Sequence, residues 1–493
     1  MKVNRRDFVK TGVAVSLVAG LKADGQPKAA GKPKTAGGRP NVLYVFSDQH
    51  RASSMPGEAF NEAKAPNLDA FRRANFSMDT CVSNFPLCTP YRGILMTGKY
   101  SCQSGMVSNS ASMRESELTL GKVFQQAGYH TGYVGKWHLG HDAAFIPPGA
   151  GRAGFETWNV WSLTNQHYTA HTYDPVTGAV ISPEGWNATR MTDQAVEFVK
   201  TQAKDKPWML MLSWNPPHPP FDPPAEDQKP YTGSLQMRPN VTLPEKTTGG
   251  RVPPPLHSEA TLHAALQGYY GGIAGVDLEF ARLLKTLDET GHADNTIVIY
   301  TSDHGEMMGS QGRMSKQVPY EESCRVPFFV RYPGVTVNGG KSDALFAAVD
   351  IYPTVCGLAG LAVPAHCAGR DHSAMMRGES MKASEMVFLM AGGANSVMAR
   401  SPGGANDQGG EGIDGEGPAM ALVPIYRGVR TKTHTYAVTN SGRWLLFDNV
   451  ADPYQRNNLI GDAAQKPLMQ QLDAALKEQI KRTGDPFVYP SVS

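Results

Sequence analysis

The run Asn41-Val42-Leu43-Tyr44-Val45-Phe46-Ser47-Asp48-Gln49-His50 decides the fold. Asn41–Ser47 is a continuous apolar run with β-branched and aromatic members, and it stops at Asp48, Gln49 and His50. A parallel strand buried on both faces has this pattern. It recurs along the chain: Thr131–Val134 leads into Gly135-Lys136-Trp137-His138, Trp208–Leu212 into the proline-rich turn holding His218, and Thr296–Tyr300 into Asp303-His304-Gly305. Each strand delivers charged or imidazole side chains at its C-terminal end, the edge where open α/β sheets bind ligands.

Helical patterns lie between the strands. Leu120, Val123, Phe124 and Ala127 fall at i, i+3, i+4, i+7 and stop at Gly128; Met191, Ala195, Phe198 and Val199 repeat the spacing; Ile273, Val276, Phe280, Leu283, Leu284 and Leu287 make a longer stripe ending at Gly291. The alternation predicts an α/β fold, a mostly parallel sheet flanked by helices on both faces. Beyond residue 375 the texture changes. Met386–Met390, Thr435–Thr439 and Trp444–Phe447 are short strand candidates, and Leu468, Leu472, Ala475 and Leu476 mark a late helix, together a smaller C-terminal α+β subdomain. The expected organisation is a leader and linker over 1–39, a main α/β domain over 40–375 and the subdomain over 376–493. The Gly-rich stretch Gly392–Gly417 reads as a long loop, either a passive insertion or a lid.

With 47 Lys+Arg against 45 Asp+Glu in 493 residues, the formal charge of +2 carries no polyanion signature, and nucleic acid is not an expected partner. No apolar run is long enough for a spanning helix. Six Cys are too few for a disulfide scaffold. Residues 1–39 hold nine Lys+Arg and two Asp+Glu, leaving 38 against 43 in the remainder, which is mildly acidic. Met1–Leu21 joins Arg5-Arg6-Asp7-Phe8-Val9-Lys10 to the mildly apolar run Thr11–Leu21 and resembles a twin-arginine export signal. The alternative is an ordinary first helix with a basic start; Gly12, Gly20 and the Lys/Pro/Gly tract Lys22–Arg39 argue against it. Export predicts engagement of the twin-arginine translocation machinery and a periplasmic or extracellular bacterial location.

The segment Phe85-Pro86-Leu87-Cys88-Thr89-Pro90-Tyr91-Arg92-Gly93-Ile94-Leu95-Met96-Thr97-Gly98 places Cys88 at a helix N-terminus, because Pro90 suits a first turn and Gly98 an end. Unpaired amides and the dipole there favour anions and are expected to depress the thiol pKa. Arg92 lies one turn on, on the same face. By itself this cysteine reads as either a nucleophile or a buried structural residue.

The whole string, Cys88-x-Pro90-x-Arg92 followed by Leu95-Met96-Thr97-Gly98, resembles the signature of the type I sulfatases of the alkaline phosphatase superfamily. Gly128–Gly140 is similar to the second family signature, Pro217–Phe221 to the turn carrying the third-strand histidine, Thr301–Gly305 to the second metal-ligand segment, and Lys316 to the later sulfate-binding lysine. Arg427–Thr431, Leu446–Asp448 and Asn458-Leu459 resemble the C-terminal subdomain. Tyr91 departs from the small residue usual between Pro90 and Arg92. The resemblance implies an alkaline-phosphatase-like fold, hydrolysis of a sulfate ester, and conversion of Cys88 to formylglycine by a maturase. It further implies a divalent metal held by Asp48, Gln49, Asp303, His304 and the residue at 88; so oxygen-rich a set suits calcium, with magnesium second. A metal-free, salt-bridged aspartate pair is the alternative.

Within the resemblance, Arg92, Lys136 and Lys316 balance sulfate charge, and Asp303 assists deprotonation of the attacking hydroxyl. His218 with Lys316 protonates the leaving alcohol, and His138 takes the proton of the second hydroxyl. Trp158, Trp161, His167, Tyr168, His171 and Tyr173 form an aperiodic aromatic stretch that either stacks on sugar rings or packs locally. Arg427, Arg430, Lys432 and Arg443 either line the far side of the pocket or are solvated strand residues. The implied substrate is a sulfated carbohydrate. The alternatives are a phosphonate monoester or phosphodiester hydrolase of the same superfamily, and a non-catalytic glycan-binding protein in which Cys88 stays a thiol.

Overall fold

The computed structural model describes residues 38–140, 145–161, 164–182, 184–243, 256–392 and 423–491. The leader over 1–39, apart from its last two residues, and the Gly-rich stretch beyond Gly392 lie outside the described residues. The main sheet has eight strands: β1 (Asn41–Asp48), β2 (Phe76–Met78), β3 (His130–Lys136), β4 (Thr157–Trp161), β5 (Trp208–Pro217), β6 (Thr296–Ser302), β7 (Phe328–Arg331) and β8 (Lys341–Ser342), in the order β8-β2-β7-β6-β1-β5-β3-β4. β6, β1, β5, β3 and β4 run parallel, whereas β7 is antiparallel to β6 and β2. Register aligns the exits: Ser47 pairs with Ser302 and Asp48 with Pro217, which puts Asp48, His218 and Asp303 on one edge.

The longer helices among the described residues are α1 (Pro66–Ala74), α2 (Cys88–Thr97), α3 (Leu120–Gln126), α4 (Asn187–Lys200), α5 (Glu259–Thr290), α6 (Ala348–Leu358) and α7 (Lys466–Thr483). All eight residues of β1 are buried because successive side chains enter opposite apolar layers. Leu43 and Val45 join Met191 of α4 and Phe280 of α5, while Val42, Tyr44 and Phe46 join Ile94 of α2 and Val355 of α6. Burying each such side chain contributes about 1.5–3 kcal/mol.

α5 is about twice as long as the stripe Ile273–Leu287 alone predicts. Ser258 caps its start, accepting the Thr261 N–H at 3.1 Å, and Gly291 ends it at φ 67°. Its first half keeps the helical spacing at Leu262, Ala265, Leu266, Tyr269 and Tyr270, all buried, while Gly268, Gly271 and Gly272 weaken the helix signal and admit the turn after β5. A Cβ on Gly268 would stand 2.1 Å from the Phe221 carbonyl oxygen. The turn bearing His218 docks against the helix for that reason.

A second sheet, antiparallel in the order β9 (Met386–Ala391), β10 (Tyr426–Thr431), β11 (His434–Thr439), β12 (Gly442–Asp448), carries α7. Sequence periodicity does not show β10, because Arg427 and Arg430 break its apolar pattern. Val429, Tyr436, Leu472 and Leu476 belong to the same apolar cluster as Val42 and Tyr44, so this sheet shares a core layer with the main one. All six cysteines are free thiols.

Candidate active site

α2 begins at Cys88 after extended Leu87 and ends at Gly98 with φ 64°. Its first turn is covered: Asn109 Oδ1 accepts the Thr89 N–H at 3.2 Å, and Thr89 Oγ1 donates to the His138 carbonyl at 2.7 Å. Tyr91 turns away from the strand ends into the core, its hydroxyl 3.3 Å from that of Tyr44.

Cys88 Sγ lies 3.5 Å from Asp48 Oδ1, 3.2 Å from His304 Nε2 and 3.7 Å from Lys136 Nζ. Asp48, Cys88, Asp303 and His304 are buried and offer ligand atoms within 4.8 Å of one another. Arg92 bridges the two aspartates at 3.2 Å each, its other amino group donating to the Lys136 carbonyl and Ser213 Oγ, both at 2.7 Å. Lys136 Nζ reaches Asp48 Oδ2 at 2.8 Å and Asn165 Oδ1 at 2.6 Å. Lys316 Nζ donates to Gln49 Oε1 at 2.7 Å and faces His218 Nε2 at 3.1 Å. Three cationic side chains thus surround two carboxylates.

The electrostatics follow from burial. Burial opposes ionisation of Asp48, but the neighbouring cations, Lys136 and Arg92, hold its carboxyl well below the usual range. Burial holds His218 well below its usual value with Lys316 adding, and does the same to His138 with Lys136 and Arg92 adding, so both rings are neutral. Burial, then Asp48, push the Cys88 thiol well up. This corrects the expectation of a depressed thiol: the helix terminus favours a thiolate, but a sulfur out of water beside a carboxylate does not become one.

The donor set fits a divalent cation. Two carboxylates share the cluster with a histidine whose Nδ1 donates to the Gly305 carbonyl at 3.1 Å, leaving Nε2 as the ligand atom beside Asp48 and Asp303.

The other expected residues are engaged by partners within the protein. Arg427 is buried 1% exposed, paired with Asp485 at 2.5 Å and donating to the carbonyls of Ala391, Gly392 and Tyr426; it holds β10 to β9 and to the segment after α7 and cannot line a pocket. Arg430 is tied to Glu321 at 3.1 Å. Trp158 packs in an aromatic cluster with Tyr133, Trp137 and Phe155, and Trp161 is 3% exposed with its indole N–H on the Thr164 carbonyl. His167 is 2% exposed and pairs with Asp222 at 2.6 Å, while His171 is bonded to Tyr173 at 2.9 Å. Sequence reasoning missed Asn165, whose aperiodic surroundings give no signal, and Glu306, three residues after Asp303 in the same exit.

The Sulfatase family model matches residues 40–361, from the first strand through the segment after α6. The chain belongs to the sulfatase family. This sulfatase is 33% identical over 456 residues to the ulvan-active sulfatase of Formosa agariphila, covering 91% of this chain and 82% of that one. It is 30% identical to the endo-4-O-sulfatase of Bacteroides thetaiotaomicron, over 91% and 93% of the two chains. A solved Bacteroides thetaiotaomicron structure, described under the metabolism of multiple glycosaminoglycans, superposes with TM-score 0.77 at 29% identity, covering 91% of this sulfatase and 97% of that chain. As members of its family do, this sulfatase hydrolyses sulfuric esters.

Proposed function

We propose that this sulfatase removes sulfate from a sulfated carbohydrate, using formylglycine made from Cys88 by a maturase and a divalent ion, calcium before magnesium, held by Asp48, Gln49, Asp303, His304 and the residue at 88. The observation that carries the reading is the buried Asp48–Cys88–Asp303–His304 cluster ringed by Arg92, Lys136 and Lys316. The carbohydrate is supported by relatives named for ulvan, endo-4-O and N-acetylglucosamine-6-O sulfatase activity. The division into 1–39, 40–375 and 376–493, and twin-arginine export to the periplasm or beyond, belong to the same proposal; no described helix is long and apolar enough to cross a membrane.

When bound, the metal and the hydrated formyl group supply an activated hydroxyl directed at sulfur and a second hydroxyl whose deprotonation releases sulfate. The chain's own groups do the remainder. Two carboxylates neutralise a divalent charge, so Arg92, Lys136 and Lys316 remain to balance the sulfate oxygens. His218 donates its Nδ1 proton to the Pro219 carbonyl at 2.6 Å, which turns the Nε2 lone pair to Lys316 Nζ. The leaving alcohol therefore takes its proton from the Lys316–His218 pair, the ammonium holding it in the resting site. His138, neutral and with Nδ1 unpartnered among the described residues, is the acceptor for the second hydroxyl.

Cys88→Ala is expected to abolish turnover with unchanged circular dichroism and melting within a few degrees. Loss of folding would make Cys88 structural. Mass spectrometry of the Cys88 peptide from the native host is expected to find formylglycine; an unmodified thiol sinks the nucleophile. Parallel assays on sulfated oligosaccharides and on sulfate, phosphate and phosphonate aryl esters test the substrate class, and a phosphonate or phosphodiester preference overturns it.

A further inference from the structure

Gln49 lies in a hydrogen-bond chain whose direction is fixed at both ends. A lysine ammonium only donates, so the Gln49 atom 2.7 Å from Lys316 Nζ is its oxygen; the amide assignment is set by chemistry. Nε2 then points the other way and donates to Glu306 Oε2. Glu306 is 1% exposed, and its Oε1 accepts the backbone N–H groups of Met308 at 2.8 Å and Ser315 at 2.6 Å. Each of these contacts brings a donor to the carboxylate. The Gln49 backbone is pinned as well, at φ 74°, its N–H donating to Asp303 Oδ1 at 3.0 Å and its carbonyl accepting the Tyr269 hydroxyl at 2.8 Å. What remains free is a half-turn of the amide, which would set NH2 against the Lys316 ammonium.

We propose that Glu306 is a positioning residue: by accepting the Gln49 Nε2 proton it presents Gln49 Oε1, and not NH2, on the side of Lys316 and the metal ligands. The inference rests on the metal reading above. A glutamine is a poor substitute for Glu306 because its oxygen is claimed by the Met308 and Ser315 N–H groups, so its NH2 meets Gln49 and turns that amide over.

The test titrates calcium into metal-stripped full-length protein by calorimetry. Glu306→Gln is expected to weaken calcium binding at least about tenfold, as loss of a ligand's hydrogen-bond partner does. The double variant Gln49→Glu with Glu306→Gln keeps the net charge and restores complementarity, since the carboxylate now at 49 accepts from the amide now at 306 and offers its other oxygen to Lys316. Its affinity is expected to return to within about threefold of the parent, whereas Gln49→Glu alone, with two carboxylates face to face, binds worse than the double. Glu306→Gln binding like the parent, or a double variant no better than Glu306→Gln, overturns the proposal. So does melting that shows both variants unfolded, because Glu306 then acts through the Met308 and Ser315 amides alone. A parent that binds no calcium instead fails the metal reading, and the proposal falls with it.

Discussion

Arg92 and Arg427 are both buried and both paired with aspartate, yet one stands among the strand ends and the other in the C-terminal sheet. Arg427 has a single carboxylate, Asp485, gripped at 2.5 and 2.9 Å, and spends its remaining amino group on three carbonyls. Its charge is matched by one carboxylate, whose further contact is a backbone N–H, that of Phe487 at 3.0 Å, and not a second cation. Arg92 divides itself between Asp48 and Asp303, which also face Lys136 and His304, and its Nε is without a partner among the described residues. Burial and ion pairing alone do not mark a site. What sets Arg92 apart is that its two carboxylates stand with Cys88 and His304 in one buried cluster, ligand atoms within 4.8 Å of one another.

Arg92→Met is expected to lower kcat/KM by about 10³-fold, since it removes a fixed donor from the sulfate side of the cluster. Steady-state assays of the matured variant measure this, and near-parental activity would place Arg92 with the scaffold. Arg427→Met should cost about 3–5 kcal/mol of stability by stranding Asp485, with kcat/KM held within about twofold below the melting range. Urea unfolding and assay together decide; an activity loss matching that of Arg92 would erase the distinction.

Protonation acts beside the site and away from it. Burial holds His50, beside the site, down to about 3, and lowers His372, remote from it and opposed by Asp350. Folded pKa values below the unfolded value of about 6.5 mean that the unfolded chain binds the extra protons. Stability is therefore complete above about pH 6.5 and falls on acidification, by up to about 1.4 kcal/mol per pH unit for each ring, for His50 until about pH 3. The depressed Asp48 carboxyl adds to the loss below about pH 3.9. Urea midpoints that rise on acidification would contradict this burial account. The smallest effect belongs to the exposed Lys432–Asp343 pair: Lys432→Ala should change stability by less than about 1 kcal/mol and activity not at all.

Legibility followed the kind of signal each residue carries. β1 and β6 are apolar on both faces, so sequence alone shows where they end and that Asp48 and Asp303 stand at those ends. The string from Cys88 to Gly98 likewise contains its own helix start and stop. Nothing local announces Glu306 or Asn165, whose roles consist of partners far away in the chain. Glycines obscure the first half of α5, because Gly268, Gly271 and Gly272 lower helix propensity even though Leu262, Leu266 and Tyr269 keep the spacing. The arginines of β10 read as either pocket lining or solvated strand residues, because their carboxylates at Asp485 and Glu321 lie 58 and 109 residues away.

The amino-acid sequence by itself determined the alternating α/β order, the family resemblance and which side chains leave the sheet at its C-terminal edge, since these rest on periodicity and local chemistry. Only the tertiary structure decided the charge states and partners: that the Cys88 thiol is pushed up, that Arg427 is scaffold, and that Gln49 is oriented from behind by Glu306. Those depend on burial and on which distant groups share a few ångströms, and neither quantity exists until the chain has folded.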